Sequence, residues 1–406
     1  MGSFLRKKRG LGVALDIGTT ALKGLLVRLP SGKVLAEEDV PNEQKAFGRD
    51  VITRLQSASD EAGLARLNRS TVSAVNKLLL KLVSASGRDA GEVKNVVAVG
   101  NSAMHHIVLS IDPKELARAP FKAVTTATER RNAALLGLRT SEDAEFLFLP
   151  NIGGFVGSDA LANILSSGVH RRKRPSVIAD IGTNGEIVLA SRQGIFAASC
   201  AAGPVFEGGH ISCGMPAAAD GAVKGVSLEN GRLRLETVGG SEPKGLTGSG
   251  LLDLAAVLLR QGKVSSRGNL AGGSFVFYDG PKRRLAITQD DIRQLQLAKA
   301  AFAAGVRILL KKSGAGFAAI SGFYVTGVFG GSIKLSAARA VGLIPKAVAA
   351  GKTKYLSKGA LYGAKKVLVD PSGCAGEIKY ILSRCVHVEL HRDPSFQDIY
   401  AEEIAF

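Results

Sequence analysis

The tetrapeptide Asp-Ile-Gly-Thr closes an apolar run twice in this chain, at Asp16-Ile-Gly18-Thr19-Thr20 and again, 164 positions on, at Asp180-Ile-Gly182-Thr183-Asn184. Apolar residues precede each copy (Val13-Ala-Leu; Val177-Ile-Ala), and a second apolar run follows it (Leu22 to Leu29; Ile187 to Ala190). That is the pattern of a strand, a tight turn and a returning strand. Glycine in such a turn lets backbone amides approach a phosphate, and threonine hydroxyls add donors. An aspartate at the strand end is placed to hold a hydrated Mg²⁺. One copy would be ordinary hairpin chemistry. Two copies, in separate halves, predict one phosphate-binding hairpin built twice in an α/β protein.

The remaining sequence fits such a protein. With 406 residues and 46% hydrophobic content the chain is long enough for two domains with sizeable cores. Its 49 glycines are spread through short loops rather than gathered in low-complexity tracts. The basic start Arg6-Lys7-Lys8-Arg9 leads into an apolar stretch that Asp16 breaks, which predicts neither a signal peptide nor a membrane span, and hence a cytoplasmic protein. Cys200, Cys213, Cys374 and Cys385 are spaced by 13, 161 and 11 positions, without zinc or cluster spacing. Four reduced thiols and no intrinsic iron–sulfur cluster are expected. Net charge is +18, with clusters at His170-Arg-Arg-Lys-Arg174, at Lys282-Arg-Arg284 and through Lys352–Lys366. None is interleaved with aromatics as a single-strand binder requires, so they read as solvated faces, with an acidic protein surface as the partner class left open.

Along the chain, a basic tail (1–10) precedes a hairpin region (11–40). A helix is expected over 70–86, with Val72, Val75, Leu79 and Leu82 on one stripe. The strand Asn95–Gly100 ends in Asn101-Ser-Ala-Met-His-His106, and Phe146–Pro150 is a short strand. Asp159 then caps a helix from Ala160 to Ser166. The Arg/Lys loop at 170–174 is the expected boundary. Beyond it, residues 197–209 read as a glycine-rich loop folded over a ligand. Gly248-Ser249-Gly250 opens a helix from Leu251 to Leu259, whose exposed amides suit an anion. Asp290 to Leu310 is expected to be the longest helix, and a strand from Gly322 ends at Gly327-Val328-Phe-Gly330-Gly331.

The two hairpins, the helix-start Asp159 and the late glycine-rich strand end together resemble the superfamily of actin, sugar kinases, acetate kinases and heat-shock chaperone ATPases. That resemblance implies two ribonuclease-H-like domains around a nucleotide cleft, here 11–170 and 171–370, with 371–406 as a C-terminal extension on the core. Within the superfamily, five runs occur in the order shown by the reductive activators of corrinoid proteins. They are Gly100-Asn-Ser-Ala-Met-His, Ile111–Phe121, Asp180–Glu186, Ala202–Gly209 and Gly248-Ser-Gly-Leu-Leu-Asp253. The likeness implies ATP binding and hydrolysis that drive electron transfer to an oxidised corrinoid cobalt. Partners would be a corrinoid protein or methyltransferase and a separate ferredoxin-like electron donor, since this sequence shows neither the family's ferredoxin-like module nor a cysteine-rich cluster domain. A homodimer is left open.

By the same resemblance, Asp16 and Asp180 face each other and position Mg²⁺ through its waters. Gly18, Thr19, Thr20, Gly182, Thr183 and Asn184 cradle the β- and γ-phosphates. Asp159 orients the attacking water, with Glu186 and Glu207 as reserves. Gly203, Gly248, Ser249 and Gly250 line the nucleotide, and Gly327 and Gly330 lie against the adenosine. Two departures stand out: Val328 occupies the second position of an expected Gly-Gly pair, and Thr247 stands where the family tends to carry Cys. The alternatives are a small-molecule kinase of the same superfamily and a nucleotide-switched actin-like scaffold.

Overall fold

A computed structural model describes residues 9–48, 51–118, 121–182, 185–327 and 333–406. The chain divides into two compact units. The first takes the chain as far as Arg172, together with Arg192–Ala197 and Lys358–His387; the second takes Lys173–Ser191, Ala198–Ser357 and Val388–Phe406. The basic loop thus carries the first crossing. The consecutive blocks expected from sequence, 171–370 and 371–406, are interrupted because the helix Gly359–Val369 packs on the first unit's sheet.

In the first unit, β1 (Gly10–Ile17), β2 (Ala21–Leu29) and β3 (Lys33–Pro41) form an antiparallel meander, with Asp16 opposite Lys23 and Ile17 opposite Leu22. β4 (Val93–Gly100) runs parallel to β1, β5 (Glu129–Asn132) is antiparallel to its neighbour, and β6 (Glu145–Phe148) is parallel to β4. The sheet order is β3-β2-β1-β4-β6-β5. Nearly all of β1 is buried because both its faces are covered. Leu11, Val13, Leu15 and Ile17 join the core made with the helix Glu61–Ser86. Gly12, one step out of phase, faces the helix Gly359–Val369: a Cβ there would come within 2.9 Å of Leu368. Asp16 shares that second face by alternation.

The helix Glu61–Ser86, at 26 residues, is one residue longer than the 25-residue helix Gln289–Ser313 that was expected to be the longest, and it begins nine residues before the expected start. Asp60 caps it by accepting from the Gly63 N–H at 2.6 Å, and Gly87 ends it in the left-handed conformation. Its early turns are polar outside, which hid them from an apolar count.

In the second unit, β7 (Ser176–Ile181) and β8 (Gly185–Ala190) repeat the hairpin, with Asp180 opposite Glu186. The strand Gly322–Gly327 lies parallel to β7 on its other side, pairing Thr326 with Asp180, and Thr353–Tyr355 extends the sheet beyond it. The helix Gln289–Ser313 buries the predicted stripe Ile292, Leu295, Ala298, Phe302, Val306 and Leu309. A capping box between Thr288 and Asp291 starts it, and Gly314 ends it. Residues Ile195–Cys200 form a strand, although 197–200 were expected to belong to a loop; its first three residues, which belong to the first unit, pair in parallel with Cys385–His387.

Candidate functional site

Each hairpin is built differently around the same tetrapeptide. In the first, the Gly18 N–H donates to the Ala21 carbonyl at 3.1 Å, and a Cβ at Gly18 would lie 2.8 Å from that same oxygen. Only glycine closes this turn without moving it. Two asparagines hold the turn from outside. Asn42, 1% exposed, donates its Nδ2 to the Gly18 carbonyl at 2.8 Å, while its own N–H donates to the Thr20 carbonyl at 2.9 Å. Asn101 donates its Nδ2 to the Thr19 hydroxyl at 3.0 Å and caps the helix Ser102–Val108 through its Oδ1.

Asn101 follows the end of β4, and the helix Ser158–Ser167 starts beside it. The Ser158 hydroxyl donates to the Gly100 carbonyl and accepts from the Gly100 N–H, both at 3.1 Å. Gly157 permits that approach, since a Cβ there would sit 2.5 Å from Asn101 Cα and 2.7 Å from Asp159 Oδ1. The Thr19 turn and Asp159 therefore border the same strand end. Asp159 is not the expected cap. Gly157 holds the N-cap position without a side-chain bond, and Asp159 lies in the helix's first turn, half-buried, its Oδ1 accepting from the Ala160 N–H. A carboxylate there is favoured by the positive end of the helix.

Asp16 is the electrostatically distinctive member of this group. Burial raises its carboxyl above the ordinary value, and the Lys23 ammonium across the strand pair opposes that rise without cancelling it. A carboxylate short of compensating charge is a good partner for a divalent cation.

In the second hairpin, Asp180 meets glycine from the neighbouring strand. Gly327 has φ +101°, and a Cβ on it would lie 2.5 Å from Asp180 Oδ1, 2.8 Å from the Ile181 nitrogen and closer still to the Ile181 carbonyl oxygen. Asp180, Glu186 and Gly327 thus form one cluster, with Glu186 buried on β8. Gly182 is half-buried at the turn; Thr183, Asn184, Val328, Gly330 and Gly331 lie outside the described residues. Gly327 was expected against a nucleoside, and among the described residues its near neighbours are the Asp180 carboxylate and the Ile181 backbone.

The remaining predicted residues form a second cluster in this unit. Gly203 (φ +73°) precedes a short 3-10 turn, Pro204–Glu207, and the Phe206 backbone lies 2.5 Å from where a Gly248 Cβ would be. The helix start at Gly248-Ser249-Gly250 is therefore buried rather than exposed. Thr247 caps it: its Oγ1 accepts from the Gly250 N–H at 3.1 Å, and the Ser249 hydroxyl donates to the Lys224 carbonyl at 2.8 Å. Ser249 and Gly250 thus spend these donors inside the unit, which corrects the expectation of free helix-end amides. Glu207 is half-buried at the end of the 3-10 turn. Phe302 links the clusters, packing on Phe206 at 6.1 Å between ring centroids and lying where a Gly185 Cβ would be.

The four thiols are free and, by burial, hard to ionise. Cys213 and Cys374 are pushed up to about 11 and Cys385 to about 12; Cys200 goes well above its ordinary value, with Glu186 adding to the effect of burial. No group of three metal-ligating side chains occurs among the described residues. His106 is satisfied, its Nδ1 2.7 Å from the Ser102 carbonyl and its Nε2 accepting from the Val124 N–H. His105 is packed against Phe148 and held neutral, burial pushing it down to about 3. No helix is long and apolar enough to cross a membrane among the described residues.

Residues 11–172 match the family model described as the RACo middle region, and residues 174–406 match that of the C-terminal domain of RACo, the ASKHA domain. The chain is 30% identical over 426 residues to the corrinoid activation enzyme RamQ of Eubacterium limosum, covering 99% of this chain and 71% of that protein. It is 24% identical over 430 residues to a Co(II) methylated amine-specific corrinoid protein reductase of Methanosarcina barkeri, covering 97% and 77%. A solved reductive activator for corrinoid, iron–sulfur protein superposes with a TM-score of 0.85 at 32% identity, covering 99% of this chain and 67% of that one.

Proposed function

The chain belongs to the RACo family, with that family's middle region followed by its C-terminal ASKHA domain, and from that membership we propose that it hydrolyses ATP with Mg²⁺ to support reductive activation of a corrinoid protein. The observation that carries the reading is the similarity over 99% of the chain to proteins described as corrinoid activators, by sequence and by structure alike. The two Asp-Ile-Gly-Thr hairpins supply the chemistry it needs.

Mg²⁺, when bound, neutralises the charge of the β- and γ-phosphates. Asp16 and Asp180 hold its waters, and the half-buried, charge-poor setting of Asp16 suits that task. The hydroxyls of Thr19 and Thr20 and the amides after Gly18 and Gly182 bind phosphate oxygens, with Thr183 and Asn184 in the same role. Asn42 and Asn101 keep the first turn in its binding shape before ligand arrives. Asp159 orients the water that attacks the γ-phosphorus, with Glu186 and Glu207 as the second choices. Water adds to phosphorus, the bond to the β-phosphate oxygen breaks, and ADP and phosphate leave. The free energy changes the protein's grip on its corrinoid partner rather than phosphorylating a small molecule. The electron comes from an iron–sulfur donor outside residues 11–406.

The test is a reduction assay with a purified Co(II) corrinoid protein, titanium(III) citrate as reductant and the absorbance of Co(I) as readout. MgATP with this chain is expected to accelerate Co(I) formation, and the corrinoid protein to stimulate ATP hydrolysis. Co(I) formation that ignores ATP would refute the reading.

A further inference from the structure

The first unit carries a groove that the hairpin chemistry does not use. It runs along one face of the helix Glu61–Ser86 and has a volume of about 660 Å³. Its apolar wall is Val72, Leu80, Leu135 and Leu136. Leu135 is 89% exposed and Leu80 60% exposed, both large aliphatics left in water beside each other.

Leu135 is presented by an ordered loop rather than a frayed one. The Asn76 side chain donates to the Gly137 carbonyl and accepts from the Arg139 N–H, each at 2.8 Å. Gly137 takes φ +82°, and Leu138 is buried in the core below. Two side-chain bonds and a buried anchor thus hold a leucine outward.

The rim has one sign of charge. Arg69, Lys77 and Arg139 line the groove and no Asp or Glu does. Glu43 pairs with Lys77 from outside the lining, whereas Arg69 and Arg139 make no ion pair among the described residues. From Arg69 to Leu80 the face runs about 16 Å at helical rise. The wall also adjoins the nucleotide hairpin's support. Asn68 donates to the Ile107 and Val108 carbonyls at the end of the same short helix whose cap, Asn101, holds Thr19.

We propose that this groove is the docking site of the corrinoid protein partner, which brings to it an acidic surface segment bearing an aliphatic anchor. The inference rests on the functional reading above and adds to it a place and a chemistry. Charge decides the occupant. A second copy of a chain with net charge +18 would bring cations to a cationic rim, and like charges across an interface oppose association. Nucleic acid would satisfy the arginines but leave Leu80 and Leu135 wet. An acidic segment with an aliphatic residue answers both.

The experiment measures the affinity of the full chain for the purified Co(II) corrinoid protein by calorimetry, at low and at physiological salt. Leu135→Asp is expected to weaken binding on the order of tenfold or more, because it puts an unpaired carboxylate where docking would take an aliphatic side chain out of water. The double variant Arg69→Glu/Arg139→Glu is expected to weaken it similarly and to flatten its salt dependence. Both changes lie on exposed side chains, so melting temperature and basal ATP hydrolysis should stay native. Leu135→Met should bind like the native chain. Native affinity in both disruptive variants would overturn the docking site while leaving the activator reading intact. Absence of binding by the native chain, together with ATP-independent corrinoid reduction, would overturn both. A native dimer dispersed by Leu135→Asp would give the groove to a second copy, and duplex DNA binding lost in the arginine variant would give it to nucleic acid. Either would overturn the proposal.

Discussion

Gly327→Ala separates a glycine required by its neighbours from one tolerated by habit. At φ +101° an L-residue is strained by about 1–2 kcal/mol. The added methyl would also sit 2.5 Å from Asp180 Oδ1 and 2.8 Å from the Ile181 nitrogen, an overpacking that costs typically about 1–3 kcal/mol. The two together give about 2–5 kcal/mol. For a unit of this size that corresponds to a fall in melting temperature of roughly 4–20 °C. Two controls in the same unit isolate the contributions. Gly231 has φ +77° with nothing within 4 Å of its Cβ position, so Gly231→Ala should show strain alone. Gly316 has neither a positive φ nor a near neighbour, so its alanine should be neutral or slightly stabilising. Calorimetry would rank the three, and the Gly327 variant should also lose most Mg²⁺-dependent ATP hydrolysis, because the methyl displaces the Asp180 carboxylate. Equal melting of the Gly327 and Gly231 variants, with hydrolysis retained, would refute the close approach.

Asp16→Asn is expected to abolish Mg²⁺-dependent ATP hydrolysis while stabilising the unliganded fold at neutral pH. Burial raises this carboxyl above 3.8, so the folded state holds the proton more tightly than the unfolded one; its contribution is fully present below that pH and is lost as pH rises through the raised value. Melting curves from pH 4 to 8 should therefore diverge from the native protein as pH rises, and parallel curves would contradict the assignment. Asn101→Ala should raise the KM for MgATP several-fold and leave the melting temperature within a few degrees, because it frees the Thr19 hydroxyl and uncaps only a short helix; an unchanged KM would remove Asn101 from the positioning role. Iodoacetamide at pH 8 should label the folded protein slowly at all four cysteines, since burial raises every thiol, and rapid labelling of any one would show an environment misread.

Local periodicity carried much of the fold. The apolar runs flanking Asp16 and Asp180 predicted both hairpins because strand, turn and return are encoded within twenty residues. The stripe from Ile292 to Leu309 predicted its helix for the same reason. What escaped was non-local. The return of Gly359–Val369 to the first sheet depends on Gly363, whose Cβ would strike the Ala162 backbone, and on Gly12, whose Cβ would strike Leu368. Those glycines are informative only once their partners, some two hundred residues or more away, are known. Asn42 is the same case at the site: its bond to the Gly18 carbonyl spans 24 residues, and nothing around Pro41-Asn42 marks it.

Glycine-rich strings posed a subtler problem, because a motif reports that room is needed and not who takes it. Gly248 and Gly250 read as openings for an anion; in the fold the Phe206 and Val223 backbones occupy those spaces. Thr247 then gains a reason of its own. A hydroxyl at that position accepts from the Gly250 N–H, donates to the Val223 carbonyl at 3.1 Å and meets the Ser249 hydroxyl at 3.0 Å, three contacts a thiol would make longer and weaker. The replacement of an expected Cys by Thr therefore tightens the joint between the helix Gly248–Arg260 and the strand Ala222–Glu229, and it does so with no thiol chemistry at that position. Thr247→Cys should cost about 1 kcal/mol through the weakened cap while leaving ATP hydrolysis intact. Loss of hydrolysis in that variant, with the fold retained, would mean that the hydroxyl reaches the nucleotide after all.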